Sequence, residues 1–139
     1  MLKGIPTVLS PELMKVLMEM GHGDEIVLAD GNFPSHSLGP KVIRADGHGV
    51  PELLEAILKF FPLDTFVEEN VILMDNGEAE KPPIWEKYYS ILESSGEPFR
   101  VKAIDRFEFY ERASKAFCVV ATSETALYAN VILKKGVVT

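Results

Sequence analysis

Short apolar runs alternate with stretches of helical periodicity along most of the chain. Residues 26–29 and 71–74 are continuous apolar runs that end at Asp30 and Asp75, a pattern typical of buried strands followed by a loop. Ser10 and Pro11 begin the first stretch with helical spacing, as an N-cap followed by a proline in the first turn. The same periodicity predicts helices that begin at Pro11, Pro51, Pro82 and Arg106. Further strands are predicted at residues 41–45, 99–104, 117–121 and 126–133.

Strands that alternate with helices of this length predict an α/β fold with a largely parallel sheet. The last two predicted strands are joined only by residues 122–125, which is too short for a parallel crossover, so we expect them to be antiparallel. The expected architecture is a three-layer helix–sheet–helix arrangement with a mixed, mostly parallel sheet. The chain contains no internal repeat or linker, and residues 1–139 are predicted to form one domain.

Composition limits the classes of function. The net charge is −7 and no dense basic cluster is present, so nucleic-acid binding is not expected. No apolar run approaches the roughly 18 residues that span a membrane, and the N-terminal residues lack the pattern of a signal peptide; a cytosolic protein is therefore expected. Cys118 is the single cysteine. Within its apolar run it is interpreted as a buried thiol, with a nucleophile as the alternative.

Candidate chemistry collects where strands end, because ligands of open α/β sheets bind at the carboxyl ends of strands. Each candidate also has a structural alternative: a helix cap or turn for the carboxylates, a solvated loop residue for the histidine, and a buried bonded pair for Tyr128 and Asn130, which share one face of the last predicted strand. The candidates found from pattern alone are His22, Asp30, Asp75, Asp105, Arg106, Tyr128 and Asn130.

Three imidazoles and a carboxylate can hold a divalent ion, and the chain has His22, His36 and His48 with Asp30 and Asp46 between them. Their spacing matches no known ligand motif, and residues 46–49 are better interpreted as a turn. No phosphate-binding loop, dinucleotide fingerprint or serine-nucleophile elbow is present. The sequence therefore predicts neither a metal nor a cofactor.

Several blocks resemble the L-fucose mutarotase / D-ribose pyranase family along essentially the whole chain. The blocks are residues 2–6 (LKGIP), 20–24 (MGHGD), 28–34 (LADGNFP), 108–113 (EFYERA), 122–124 (TSE) and 128–136 (YANVILKKG). Arg106 and residues 32–34 resemble the fucose branch of that family. Ser123 stands where that family is expected to have glycine.

The resemblance implies that His22 is the catalytic acid/base residue and that Asp30, Arg106 and the segment Tyr128, Ala129 and Asn130 bind the sugar. It also implies an α/β fold with a mixed sheet, a ring-like homo-oligomer (decamers in bacteria), and sites near subunit contacts. The expected reaction is the exchange of α and β anomers of L-fucose or a related monosaccharide. Pyranose–furanose exchange of D-ribose and non-catalytic sugar binding are the alternatives.

Ring opening of a hemiacetal requires one group to protonate the ring oxygen and another to remove the proton of the anomeric hydroxyl. Imidazole suits this chemistry because it can give and take a proton near neutral pH. The partner of His22 is left open between Tyr128, Asp30 and a water. Tyr128 is expected either to act as that partner or to stack on the sugar.

Overall fold

The chain folds into four helices and six strands, which a computed structural model describes over residues 1–139. The helices are α1 Pro11–Glu19, α2 Val50–Leu58, α3 Ile84–Ser95 and α4 Arg106–Ser114. The strands are β1 Glu25–Ala29, β2 Lys41–Ala45, β3 Val71–Met74, β4 Val101–Ile104, β5 Cys118–Thr122 and β6 Val131–Lys134. Each predicted element is present, although α2 ends before Phe61 and β4 begins after Phe99.

All six strands form one sheet in the order β2-β5-β1-β6-β3-β4. The pairs β1–β5, β2–β5 and β3–β4 are parallel, whereas β6 is antiparallel to both β1 and β3. Strands β1 to β5 therefore run in one direction and β6 alone runs in the other. The prediction of a mixed, mostly parallel sheet is confirmed.

Helices cover both faces of this sheet. Alternate residues of β1 face opposite sides, so Leu28 packs with α1, α2 and α3, whereas Val27 packs with Phe109 and Ala113 of α4. Three helices thus form one outer layer and α4 with its neighbouring loops forms the other, which confirms the three-layer α/β prediction. None of the helices is long and apolar enough to cross a membrane.

The predicted helix boundaries have the expected hydrogen bonds. The Ser10 hydroxyl accepts the N–H of Leu13 at 3.1 Å at the start of α1. The Asp105 carboxylate accepts the N–H of Glu108 at 2.9 Å at the start of α4. Gly96 ends α3 in the left-handed conformation, with φ 76°, which glycine adopts without steric cost.

The prediction of a last strand over residues 126–133 is wrong at its N-terminal end. β6 begins at Val131, and Tyr128 adopts a left-handed conformation with φ 53°. The lengths of the neighbouring strands explain this difference. Val131 pairs with Leu28 and Leu73, and β1 and β3 end one residue later, so residues 126–129 lie past the ends of both neighbours. Tyr128 and Asn130 therefore do not project from one strand face. The predicted opposite direction of the last two strands is correct, but β1 lies between them and they do not pair.

Gly136 provides a stability test of the corner where the chain leaves β6. Its N–H donates to the carbonyl of Pro62 at 2.7 Å, and a Cβ at this position would lie 2.6 Å from the carbonyl oxygen of Leu63. Because backbone must shift to relieve that contact, Gly136→Ala is expected to lower the free energy of unfolding by about 1–3 kcal/mol. Urea denaturation measures this loss. Gly21→Ala is the control, since its Cβ would meet only the Asp24 carboxylate at 3.6 Å; equal stability of the two variants would contradict the prediction.

Candidate functional site

The predicted site residues lie at the two opposite ends of the strands. The side where the parallel strands end is called the carboxyl edge here, and the side where they begin is called the opposite edge. Asp30 follows β1 and Arg106 follows β4, so both lie at the carboxyl ends of the parallel strands. The segment 128–130 joins them there because β6 is reversed and begins at that edge. His22 precedes β1 and lies at the other edge, where the N–H of its neighbour Gly23 donates to the carbonyl of Lys135. At about 3.3 Å per residue, the length of β1 separates the two edges by roughly 15 Å. The expectation that His22 shares the carboxyl edge is therefore wrong for a single chain.

Asp30 is the buried anchor of the carboxyl edge, with 6% of its surface exposed. Its backbone N–H donates to the Asn130 side-chain oxygen at 2.7 Å. Its carboxylate accepts the N–H of Asn32 at 3.0 Å and that of Ala129 at 3.3 Å. Burial raises the pKa of Asp30, and these backbone donors only partly offset that effect. The carboxyl group thus fixes the segment that carries Tyr128, and its free lone pairs can accept from a hydroxyl.

Asn130 and Tyr128 have different environments. Asn130 is buried, and its side chain bridges the N–H of Asp30 and the sulfur of Met74. Tyr128 is half-buried and lines a groove of about 460 Å³ together with Pro83, Ile84 and Leu127. A phenol beside an apolar groove can stack on a ligand and donate a hydrogen bond to it.

Arg106 lies at the start of α4 within an aromatic cluster. Its guanidinium carbon is 4.6 Å from the ring centre of Phe107 and 5.9 Å from that of Tyr110. The Tyr110 ring in turn contacts Phe33, with ring centres 5.4 Å apart. The guanidinium is exposed and stacks on rings, so its N–H donors remain available to a ligand. Tyr110 is a further phenol beside this edge, and no sequence pattern indicated it as a site residue.

His22 forms a pair with Asp64 at the opposite edge. Its Nε2 lies 3.1 Å from Oδ1 of Asp64, whose side chain is only 3% exposed, whereas 46% of the imidazole is exposed. The Phe66 ring packs against the imidazole, with ring centres 5.5 Å apart. Burial alone would raise the pKa of Asp64, but the N–H of Phe66 and the contact with His22 outweigh it, and this pKa is lowered.

The pairing with Asp64 determines which nitrogen of His22 carries the proton. An ionised carboxylate can only accept hydrogen bonds, so the Nε2 of a neutral imidazole is the donor and Nδ1 keeps its lone pair. His22 therefore has the form of a general base whose second nitrogen is held by a buried acid. Asp64 was missed because 42 positions separate it from His22 and no local motif surrounds it.

The remaining candidates have structural roles. Asp105 caps α4 as described, and Asp75 accepts the N–H of Gly77 and the ammonium of Lys81; the hydrogen bond from Lys81 lowers the pKa of Asp75. Cys118 is fully buried, and burial raises the pKa of its thiol to about 11, which fits the buried-thiol interpretation.

The three histidines lie in separate environments. His36 contacts Arg44 at 3.2 Å and His48 contacts Glu52 at 3.0 Å, whereas His22 pairs with Asp64. No three His, Cys, Asp or Glu side chains are grouped to hold a metal ion.

The Asp64–His22 pair predicts a pH-dependent stability. Because the pKa of Asp64 is lower in the folded protein than the unfolded value of about 3.9, its ionised form stabilises the fold above that value, and this contribution is lost as the pH falls through the folded pKa. Asp64→Asn is expected to lower the free energy of unfolding by about 1–2 kcal/mol at pH 7, and by less at pH 3. Urea denaturation at both pH values measures the difference.

The matched control is Asp105→Asn, since Asn caps a helix about as well as Asp. It should change the stability little at either pH. A loss in Asp64→Asn that is the same at pH 3 and pH 7 would contradict the assignment of an ionised buried carboxylate.

Comparisons with known proteins identify the family. Residues 3–138 match the model of the RbsD / FucU transport protein family. The fucose mutarotase of Danio rerio is 57% identical over 99% of this chain and 94% of its own length. The crystal structure of the Streptococcus pneumoniae fucose mutarotase in complex with L-fucose matches with a TM-score of 0.95 and 51% identity, over 99% of this chain and 100% of that one. Bacillus subtilis RbsD complexed with D-ribose is more distant, with a TM-score of 0.75 and 25% identity over 94% of this chain and 95% of that one. The resemblance found in the sequence blocks is confirmed, and the chain belongs to the RbsD / FucU family.

Proposed function

We propose that this protein is a mutarotase that interconverts the α and β anomers of L-fucose. The observation that carries the proposal is the match, over almost the whole of both chains, to a fucose mutarotase solved with L-fucose. The lower identity and TM-score of the ribose-bound relative favour fucose over ribose as the substrate. The named activity of the curated relatives favours an isomerase over a binding protein without activity.

The His22–Asp64 pair supports the proton transfers of this reaction. The Nδ1 lone pair of His22 takes or returns one proton of the hemiacetal, while Asp64 holds Nε2 and stabilises the positive charge that develops on the ring. The ring opens, the C1–C2 bond rotates, and closure on the other face of the aldehyde gives the second anomer. Acid/base catalysis of this kind contributes about 10²- to 10⁴-fold. The bond between C1 and the ring oxygen that breaks on opening forms again on closure, and only protons pass between sugar and protein, so no redox partner is required.

The carboxyl edge supplies the groups that bind the sugar in this proposal. Asp30 accepts from a hydroxyl, Arg106 donates to neighbouring sugar oxygens, and Asn130 and the Ala129 backbone fix the shape of the site. Tyr128 lies beside an apolar groove, which suits the methyl-bearing face of a deoxy sugar. Tyr128 and Tyr110 are the two phenols near this edge that can serve as the partner acid of His22.

The separation of the two edges supports a site shared between subunits. The two edges are farther apart along β1 than one monosaccharide with a hydrogen bond of about 3 Å on each side can span, which favours contact of one sugar with His22 and Arg106 of different chains. Exposed apolar side chains lie beside both halves, with Phe66 at 74% next to His22 and Phe107 and Leu127 at 69% next to the sugar-binding groups. We therefore propose a homo-oligomer in which His22 of one subunit faces Asp30 and Arg106 of the next. Head-to-tail contacts form a ring where the rotation between subunits closes, and we propose such a ring-like assembly, of ten subunits, in the cytosol.

His22→Ala tests the catalytic role. It should reduce α/β exchange of L-fucose about 100-fold or more while the sugar still binds, because the binding groups lie on the other edge. Saturation-transfer NMR measures the exchange and calorimetry measures the binding. His48→Ala is the matched control, since it is also an exposed histidine paired with a carboxylate. Wild-type protein that does not accelerate exchange of L-fucose, or that accelerates only D-ribose, would overturn the proposed function.

A mixing experiment tests the shared site. Asp30→Ala and His22→Ala are expected to be inactive separately. Unfolded together at equal amounts and refolded, they should recover about a quarter of the wild-type exchange rate, because a quarter of the head-to-tail contacts join two intact halves. Mass spectrometry verifies that the two variants have mixed within one assembly. If such mixed assemblies recover no exchange activity, each chain carries a whole site.

A further inference from the structure

Tyr88 is a fully buried polar residue on α3 that the proposed mechanism does not use. None of its surface is exposed, and its hydroxyl donates to the backbone carbonyl of Ala129 at 2.6 Å. Burial and the charges of Glu124 and Asp30 raise the pKa of this phenol, so it stays protonated and remains a donor. Burial of a hydroxyl costs desolvation free energy, and a hydrogen bond offsets that cost. For Tyr88 the bond to Ala129 provides this compensation.

The acceptor of this bond lies between two of the proposed sugar-binding residues. Ala129 is bonded on both sides, since its N–H donates to Asp30 at 3.3 Å and its carbonyl accepts from Tyr88. Tyr128, which precedes it, has φ 53°, a conformation that costs energy for a non-glycine residue and persists only where its surroundings hold it. Residues 128–130 also lie beyond the last paired residue of β6, so no sheet hydrogen bonds fix them.

The hydrogen bond from Tyr88 to the Ala129 carbonyl complements the one from the Ala129 N–H to Asp30. Asp30 directly follows β1 of the sheet, whereas Tyr88 belongs to the helical layer formed by α1, α2 and α3. The two bonds therefore fix the Ala129 backbone between two layers of the fold. The Tyr88 hydroxyl donates its hydrogen bond to the Ala129 carbonyl, and a phenylalanine would fill nearly the same volume in the core without making that bond.

We propose that Tyr88 is a positioning residue of the mutarotase, which holds the segment 128–130 in the conformation that binds the sugar. The proposal rests on the proposed function, since it assumes that Tyr128 contacts L-fucose and that Asn130 shapes the site. Tyr88 itself does not touch the sugar and takes no part in proton transfer. Its effect is on the geometry of Tyr128 and of the Asn130 side chain.

Tyr88→Phe tests the proposal because it removes one hydroxyl and preserves the core. The dissociation constant and the KM for L-fucose should rise about tenfold, from the loss of one buried hydrogen bond that orders the site. The kcat at saturating sugar should fall less than the KM rises, because the His22–Asp64 pair lies at the other edge. Amide NMR signals of residues 128–130 should shift, whereas those of His22 and Asp64 should not.

Leu92→Val is the matched control, since Leu92 is buried on the same helix one turn further from the site. It should lower the melting temperature without changing the KM or the signals of residues 128–130. An unchanged KM and dissociation constant in Tyr88→Phe, with wild-type protein active on L-fucose, would overturn the positioning role and leave the mutarotase intact. Wild-type protein that binds L-fucose without accelerating exchange would instead overturn the proposed function, and the effect of Tyr88→Phe on binding would still test the positioning.

Discussion

The reversed direction of β6 in the middle of the sheet is the constraint on which the rest of the structure depends. β6 joins the parallel group β2-β5-β1 to the parallel pair β3-β4 by pairing with β1 on one side and β3 on the other. Its residues Val131, Ile132 and Leu133 are fully buried, so its register is set by core packing on both faces. Because it is reversed, its start lies at the carboxyl edge beside Asp30 and its end lies at the opposite edge beside Asp64.

A buried aspartate lies at each end of β6, and the pKa values of the two carboxyl groups shift in opposite directions. Asp30 is surrounded by neutral donors, and its burial raises its pKa. Asp64 faces His22 in addition to a backbone N–H, and its pKa is lowered despite its burial. Neutral hydrogen bonding suits a residue that orders a backbone and accepts from a sugar hydroxyl. A stable negative charge suits a residue that holds an imidazole during proton transfer.

Local sequence patterns were sufficient to predict the elements, because each is encoded within a few residues. The apolar runs at 26–29 and 71–74 became β1 and β3, and Asp105 became a cap. The position of β6 in the sheet could not be read in this way, since it depends on pairing with strands about 100 and 60 positions earlier in the chain. That pairing also determines where β6 begins, so the alternating pattern over residues 126–130 indicated a strand where none can pair.

The candidate site was predictable residue by residue but not in its arrangement. Position identified Asp30 and Arg106 at the carboxyl edge. Asn130 was selected from a predicted strand face that the structure does not contain, and the role of His22 came from the family resemblance alone. Asp64 and Tyr88 act through contacts with residues 42 and 41 positions away, so neither leaves a local motif.

The distance between the two edges has a consequence for the proposed reaction. Hemiacetal opening needs a proton donor and a proton acceptor on one sugar, and a single chain keeps His22 and the sugar-binding groups roughly 15 Å apart along β1. In the proposed shared site, sugar binding requires only the folded chain, whereas proton transfer by His22 requires a second copy. The exposed Phe66, Phe107 and Leu127 beside the two halves give that copy an apolar surface to bury. In this arrangement, the same contacts that remove these side chains from water also complete the catalytic site, so that assembly and activity are stabilised together.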